Sequence, residues 1–128
     1  MAIRRSLEMK SESRTAMAYI AGRLLSGRTS SAVFDYSRSK HVNFSGVVQV
    51  GKVQVFDYET GNHIAGSGSE TNLNLFEYGR SSHIQLKLSG HQFNGFDYGT
   101  GTHFSGTVSG QNISIFDYGE SQHFQYSI

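Results

Sequence analysis

Downstream of Ser30, a carboxylate–tyrosine pair recurs five times, and each is followed, after four intervening residues, by a histidine. The pairs are Asp35-Tyr36, Asp57-Tyr58, Glu77-Tyr78, Asp97-Tyr98 and Asp117-Tyr118. Each follows a phenylalanine (Phe34, Phe56, Phe76, Phe96, Phe116) and is closed by His41, His63, His83, His103 or His123. Carboxylate, phenol and imidazole together supply hydrogen-bond acceptors, donors, aromatic faces and metal-ligating atoms. The acid-to-histidine interval is six residues in every copy, and the phenylalanines recur at 22, 20, 20 and 20 residues. Such regularity marks a repeat architecture.

Four chemistries fit the unit. The first is structural: acid and imidazole hydrogen-bond across a hairpin loop while Phe and Tyr pack between neighbouring hairpins. The second is ligand binding, above all of carbohydrate, in which aromatic faces stack on sugar C–H surfaces and Asp, Asn, Gln and His place the hydrogen bonds. Five shallow equivalent sites would gain by multivalency. The third is metal binding, although one acid and one His make only half of a tetrahedral site. Catalysis is the fourth and fits least, because a catalytic site is asymmetric and five near-identical copies offer no odd member. His91, the one histidine outside the pattern, falls in a turn. There is no phosphate-cradling Gly loop and no Gly-x-Ser-x-Gly elbow. The fifteen acid, Tyr and His residues are therefore candidate ligand-binding positions. No catalytic residue, metal ligand or cofactor is assigned.

The elements that must position these residues are strands. Short turn signals, Gly51-Lys52, Gly90-His91 and Gly110-Gln111, separate alternating segments such as Val48–Val55, as a two-residue hairpin turn requires. A second turn of four residues lies inside each motif, for example Glu59–Asn62. The chain reads as all-β, with five tandem hairpins of about 20 residues. They form a ten-stranded antiparallel meander, barrel- or flower-like, with a β-solenoid as the alternative. A solenoid would stack five carboxylates in a ladder, which favours the meander.

Alternation turns Val53, Val55, Leu73, Leu75, Ile84, Leu86, Leu88, Ile113, Ile115, Phe124, Tyr126 and Ile128 towards the core. Continued strictly, it sends the acids inward and Phe, Tyr and His outward. A bare inward carboxylate is costly. The expectation is therefore either a rim position for the acid or a bulge at Phe-Asp that turns Phe in.

Residues 1–30 form a separate basic segment, with Arg4, Arg5, Lys10, Arg14, Arg23 and Arg28 against Glu8 and Glu12. Residues 31–128, the repeat domain, carry five basic and eight acidic side chains. Within the segment, residues 12–25 predict an amphipathic helix, with Ala16, Ile20 and Leu24 on one row and Met17, Ala21 and Leu25 on the next. Ser26-Gly27 supplies its stop. So short a helix must dock on the β body, a sister subunit or a surface.

The acidic β body opposes nucleic-acid binding. No stretch approaches the roughly 20 apolar residues of a membrane span. The absence of Cys excludes disulfides and thiolate sites. The charged N-terminus lacks an apolar signal core, so a cytoplasmic location is expected. The turn spacing resembles that of short β-repeat modules such as lectin-like propellers and the Tyr-Asp-type repeats of bacterial toxins. The Phe-Asp-Tyr-x4-His signature, however, carries no residues across from either. The sequence thus points to a non-enzymatic module acting in binding or self-assembly, a homo-oligomer, with multivalent carbohydrate binding or metal binding through Asp/His pairs as its sharper alternatives.

Overall fold

The computed structural model describes residues 9–128. Arg4, Arg5 and Glu8 of the basic segment lie outside the described residues. One helix, α1 (Ser11–Ser26), precedes ten strands. These are β1 (Ala32–Asp35), β2 (Lys40–Gln49), β3 (Lys52–Asp57), β4 (Asn62–Gly68), β5 (Asn72–Glu77), β6 (Ser82–Ser89), β7 (Gln92–Asp97), β8 (Thr102–Ser109), β9 (Asn112–Asp117) and β10 (Gln122–Ser127). Each strand pairs antiparallel with its sequence neighbours, and β1 closes on β10. The meander is a closed barrel, which removes free sheet edges.

Strand alternation holds except at the far ends of β2 and β4, where residues 45–47 and 67–68 are exposed. Val53, Val55, Leu73, Leu75, Ile84, Leu86, Ile113, Ile115, Phe124 and Tyr126 are buried, together with Phe44, Phe93 and Phe104. Every residue of α1 from Ser13 to Gly22 is also buried, so the helix has no solvent face over that span. Helix and inward strand residues form one hydrophobic cluster. The helix therefore runs inside the barrel: Tyr19 stacks on Phe44 at 4.2 Å, and Gly22 lies against Ile113 and Ile128. Each large apolar side chain so enclosed is worth about 1.5–3 kcal/mol of burial. Gly27, at φ 71°, ends the helix in the left-handed conformation that favours glycine.

A helix needs room, and the strand register supplies it. The register steps by two residues at the junctions β4–β5, β6–β7 and β8–β9, and by four at β2–β3 and β10–β1. Greater stagger tilts the strands and widens a barrel of given strand number. The two extra residues of the first interval sit in β2, where they create one of the larger steps.

The turns refine the sequence reading. Gly90-His91 and Gly110-Gln111 are two-residue turns, with their glycines at φ 62° and 58°. In the first hairpin junction the turn is Val50-Gly51 rather than Gly51-Lys52, because Lys52 already pairs with Gln49. The inner loop occupies residues 58–61, one residue earlier than expected, since Asp57 pairs with Asn62. Its last position is left-handed in all five copies: Ser39, Gly61, Ser81, Gly101 and Ser121.

Candidate functional site

The motif divides between the two faces of the sheet. At each Phe-acid step the pairing is unbroken: Phe56 faces His63 and Asp57 faces Asn62, and the other four copies repeat the pattern. The bulge expected as one way to bury Phe does not form. Alternation carries straight through, so the acids point in and the aromatic residues point out.

Inward, Asp35, Asp57, Asp97 and Asp117 are at most 1% exposed and Glu77 is 7% exposed. They ring the N-terminal turns of α1. Each Asp accepts a hydrogen bond from the backbone N–H two residues ahead: Ser37 (3.0 Å), Glu59 (2.9 Å), Gly99 (2.8 Å) and Gly119 (2.9 Å). An aspartate in this position closes a local turn, which is why it recurs at the start of the inner loop. The longer Glu77 instead reaches the helix, accepting from Ser13 Oγ at 2.9 Å. Thr15 Oγ1 donates to Asp35 at 3.0 Å, and Arg14 Nη1 donates to Asp117 Oδ2 at 2.9 Å. Three consecutive helix residues thus tie to three different walls of the barrel.

Cations complete the ring, and they belong to the chain itself. Arg38 Nε donates to Asp35 at 2.7 Å while Nη1 and Nη2 hold Glu59. Arg80 spans Glu77 (3.2 Å) and Asp97 (3.0 Å). The Arg14 guanidinium also lies 3.5 Å over the Phe124 ring. Burial alone would raise the Asp35 pKa; hydrogen bonds from Arg38, Ser37 and Thr15 outweigh it and hold the carboxyl below its ordinary range. Among the described residues Asp57 has no such cation. Burial pushes its carboxyl up to about 6, against the pull of the Glu59 and Thr60 amides and with the added repulsion of Glu59 and Glu77.

Outward, each Phe meets its own Tyr and His edge-on, with ring centroids 4.7–5.0 Å apart. This geometry suits aromatic quadrupoles. It also half-buries Phe34, Phe56, Phe76, Phe96 and Phe116, which resolves the cost of placing five phenylalanines outside. His41, His63, His83, His103 and His123 are exposed, as are Tyr36, Tyr58, Tyr78, Tyr98 and Tyr118 at 55–62%. The expected hydrogen bond between acid and His across the loop does not occur, because the two face opposite sides of the sheet. For the same reason the acid and His of one repeat cannot ligate one metal ion. The fifteen candidate positions therefore separate into an inner ring of five acids and an outer belt of five Tyr and five His, to which Phe must be added.

Grooves open between neighbouring hairpins on the belt. One is lined by Gln54, Gly61, Asn62, His63, Ala65 and Tyr78, another by Asn94, His103, Ser105 and Tyr118. The polar, uncharged floor was not singled out in the sequence, and nor were Ser13, Thr15, Arg38 and Arg80 as partners of the acids. A signal for the arginines existed: each follows an acid by three residues, in Asp35–Arg38 and Glu77–Arg80. No protein-family model, curated protein or solved structure matches this chain.

Proposed function

We propose that the chain is a non-enzymatic binding module whose working surface is the outer belt, and that it takes neutral glycans at several points around the barrel. One observation carries this reading: the acids are committed inward to turns and ion pairs, whereas the Tyr and His rings stand exposed on a rigid wall. Exposed tyrosines offer apolar faces with a polar tip, the combination that a sugar ring accepts. Among the described residues the outward strand positions carry no carboxylate; beside the belt they hold Gln, Asn, Ser, Thr and lysines such as Lys52 and Lys87. Such a surface supplies placed hydrogen bonds without demanding a charged ligand. Repetition around a closed barrel adds avidity for a branched or repeating glycan.

The test is a glycan array probed with the intact chain and with a His63→Ala/His83→Ala/His103→Ala variant. Hits that vanish in the variant support the reading, and an array blank for the intact chain rejects it. Self-assembly is the second reading, favoured by the same exposed belt, and light scattering of the intact chain checks it.

A further inference from the structure

The five junctions between hairpins are not equivalent, and their differences assign sites. This inference rests on the glycan reading above. At three junctions the Tyr backbone N–H donates to the carbonyl of the preceding hairpin's His: Tyr78 to His63 (3.0 Å), Tyr98 to His83 (3.0 Å) and Tyr118 to His103 (3.1 Å). There the Tyr of one hairpin lies beside the His of the preceding one, and grooves open between the rings at His63/Tyr78 and His103/Tyr118. At the other two junctions, where the register steps by four, Tyr58 bonds to Asn43 and Tyr36 to Gln125. The Tyr is thereby displaced two residues along the strand, about 7 Å, from His41 or His123.

A floor residue distinguishes these three junctions. It lies on the outer face two positions beyond the His and pairs with the next Phe: Ala65 with Phe76, Gln85 with Phe96, and Ser105 with Phe116. Over Ala65 the groove encloses about 350 Å³, and over Ser105 about 260 Å³. Gln85 puts a carboxamide where the others have a methyl or hydroxyl, and its Nε2 reaches Asn72 Oδ1 at 3.3 Å.

We propose that the barrel carries two neutral-sugar sites, the His63/Tyr78 and His103/Tyr118 grooves, and that Gln85 closes the third. In each open site the Tyr and His rings form the walls. A carboxamide from the strand below (Gln54 or Asn94) faces the ring hydroxyls. Among the described residues no carboxylate lines either groove, which selects an uncharged ring over a cationic ligand. The two sites are separated by one closed junction, so a divalent glycan must span that interval to gain avidity.

The experiment is a titration of the intact chain with maltose, cellobiose and N,N′-diacetylchitobiose, following the assigned histidine ring signals by NMR. The expected result is that at least one disaccharide moves the His63 and His103 signals while His41 and His83 stay put; His123, which lines the adjoining groove over Asn94 and Ser105, follows His103. Gln85→Ala then adds a His83 response, and Ala65→Gln weakens the His63 response at least tenfold. A disaccharide that moves all five histidines alike, or a Gln85→Ala variant of unchanged fold and unchanged response, overturns the two-site assignment but keeps the glycan reading. Titrations that move no histidine overturn both.

Discussion

Arg14 Nη1 lies 2.9 Å from Asp117 Oδ2, a buried ion pair between residues 103 apart in sequence that joins the central helix to the ninth strand. Its guanidinium is further held by the Met9 carbonyl and the face of Phe124. A buried pair adds little over a well-packed apolar replacement, but losing one partner strands a charge. Arg14→Met should therefore destabilise the chain by about 3–5 kcal/mol. Arg14→Met/Asp117→Asn should recover part of that loss. Urea denaturation of the two variants decides, and equal midpoints for Arg14→Met and the parent would show that the pair holds nothing.

Asp57 gives a pH signature of opposite sign to that of Asp35. Folded, it takes up a proton near pH 6; unfolded, it does so near its ordinary 3.8. Between those values the folded chain binds more protons, so this group adds stability as pH falls through the window and removes it at pH 7. Asp57→Asn keeps an acceptor for the Glu59 amide and should stabilise the chain by about 1–2 kcal/mol at pH 7. The gain should vanish by pH 4. Asp35, held low by Arg38, Ser37 and Thr15, should behave in reverse: its contribution is present above its unfolded pKa and is lost as pH falls through the lower folded value. Denaturation curves at pH 7 and 4 separate the two variants: the Asp57→Asn gain fades between them, whereas the Asp35→Asn loss is present at both and fades only below 3.8.

Three inner loops place serine where glycine belongs. Ser39, Ser81 and Ser121 have φ of 51°, 49° and 54°, the position filled by Gly61 and Gly101 in the other two copies. A residue with a Cβ is strained there, so each Ser→Gly change should stabilise by about 0.5–1 kcal/mol. A thermal melt of the triple variant Ser39→Gly/Ser81→Gly/Ser121→Gly should show an additive rise. A fall would mean that the serine hydroxyls matter more than the backbone.

The helix is the centre of the core rather than an appendage. Removing residues 1–27 strips Met17, Tyr19 and Ile20 from the cluster and leaves Glu77, Asp117 and Asp35 without Ser13, Arg14 and Thr15. The shortened chain should lose its cooperative unfolding transition by circular dichroism. A folded, cooperative remainder would contradict the central placement of the helix.

Much of this fold was legible in the sequence because strands declare themselves by alternation. Ile84, Leu86 and Leu88 or Phe124 and Tyr126 need no tertiary knowledge to be placed inward. Followed strictly, the same rule also placed the acids correctly. A bulge is suggested only by two local costs, a bare inward carboxylate and five outward phenylalanines. What removes the first cost is non-local: Arg14, Thr15 and Ser13 belong to a helix whose polar positions read as a solvent face until the barrel surrounds them. The helix ends were within one residue, yet its burial on all sides was hidden, since polar residues that face a ring of acids look no different from residues that face water. The outer grooves were hidden for a different reason. Tyr78 and His63 come from different repeats, and only the register brings them together.

The account turns on the division of labour between the two faces of the sheet. It is tested most directly by measuring unfolding stability and glycan-array binding together for Tyr78→Ala/Tyr118→Ala. The expected result is a stability loss below about 1 kcal/mol per site, the scale of an exposed edge-on aromatic contact, with array binding abolished. A variant that loses its fold, or that keeps its fold and every array hit, would contradict the assignment of the outer belt to binding.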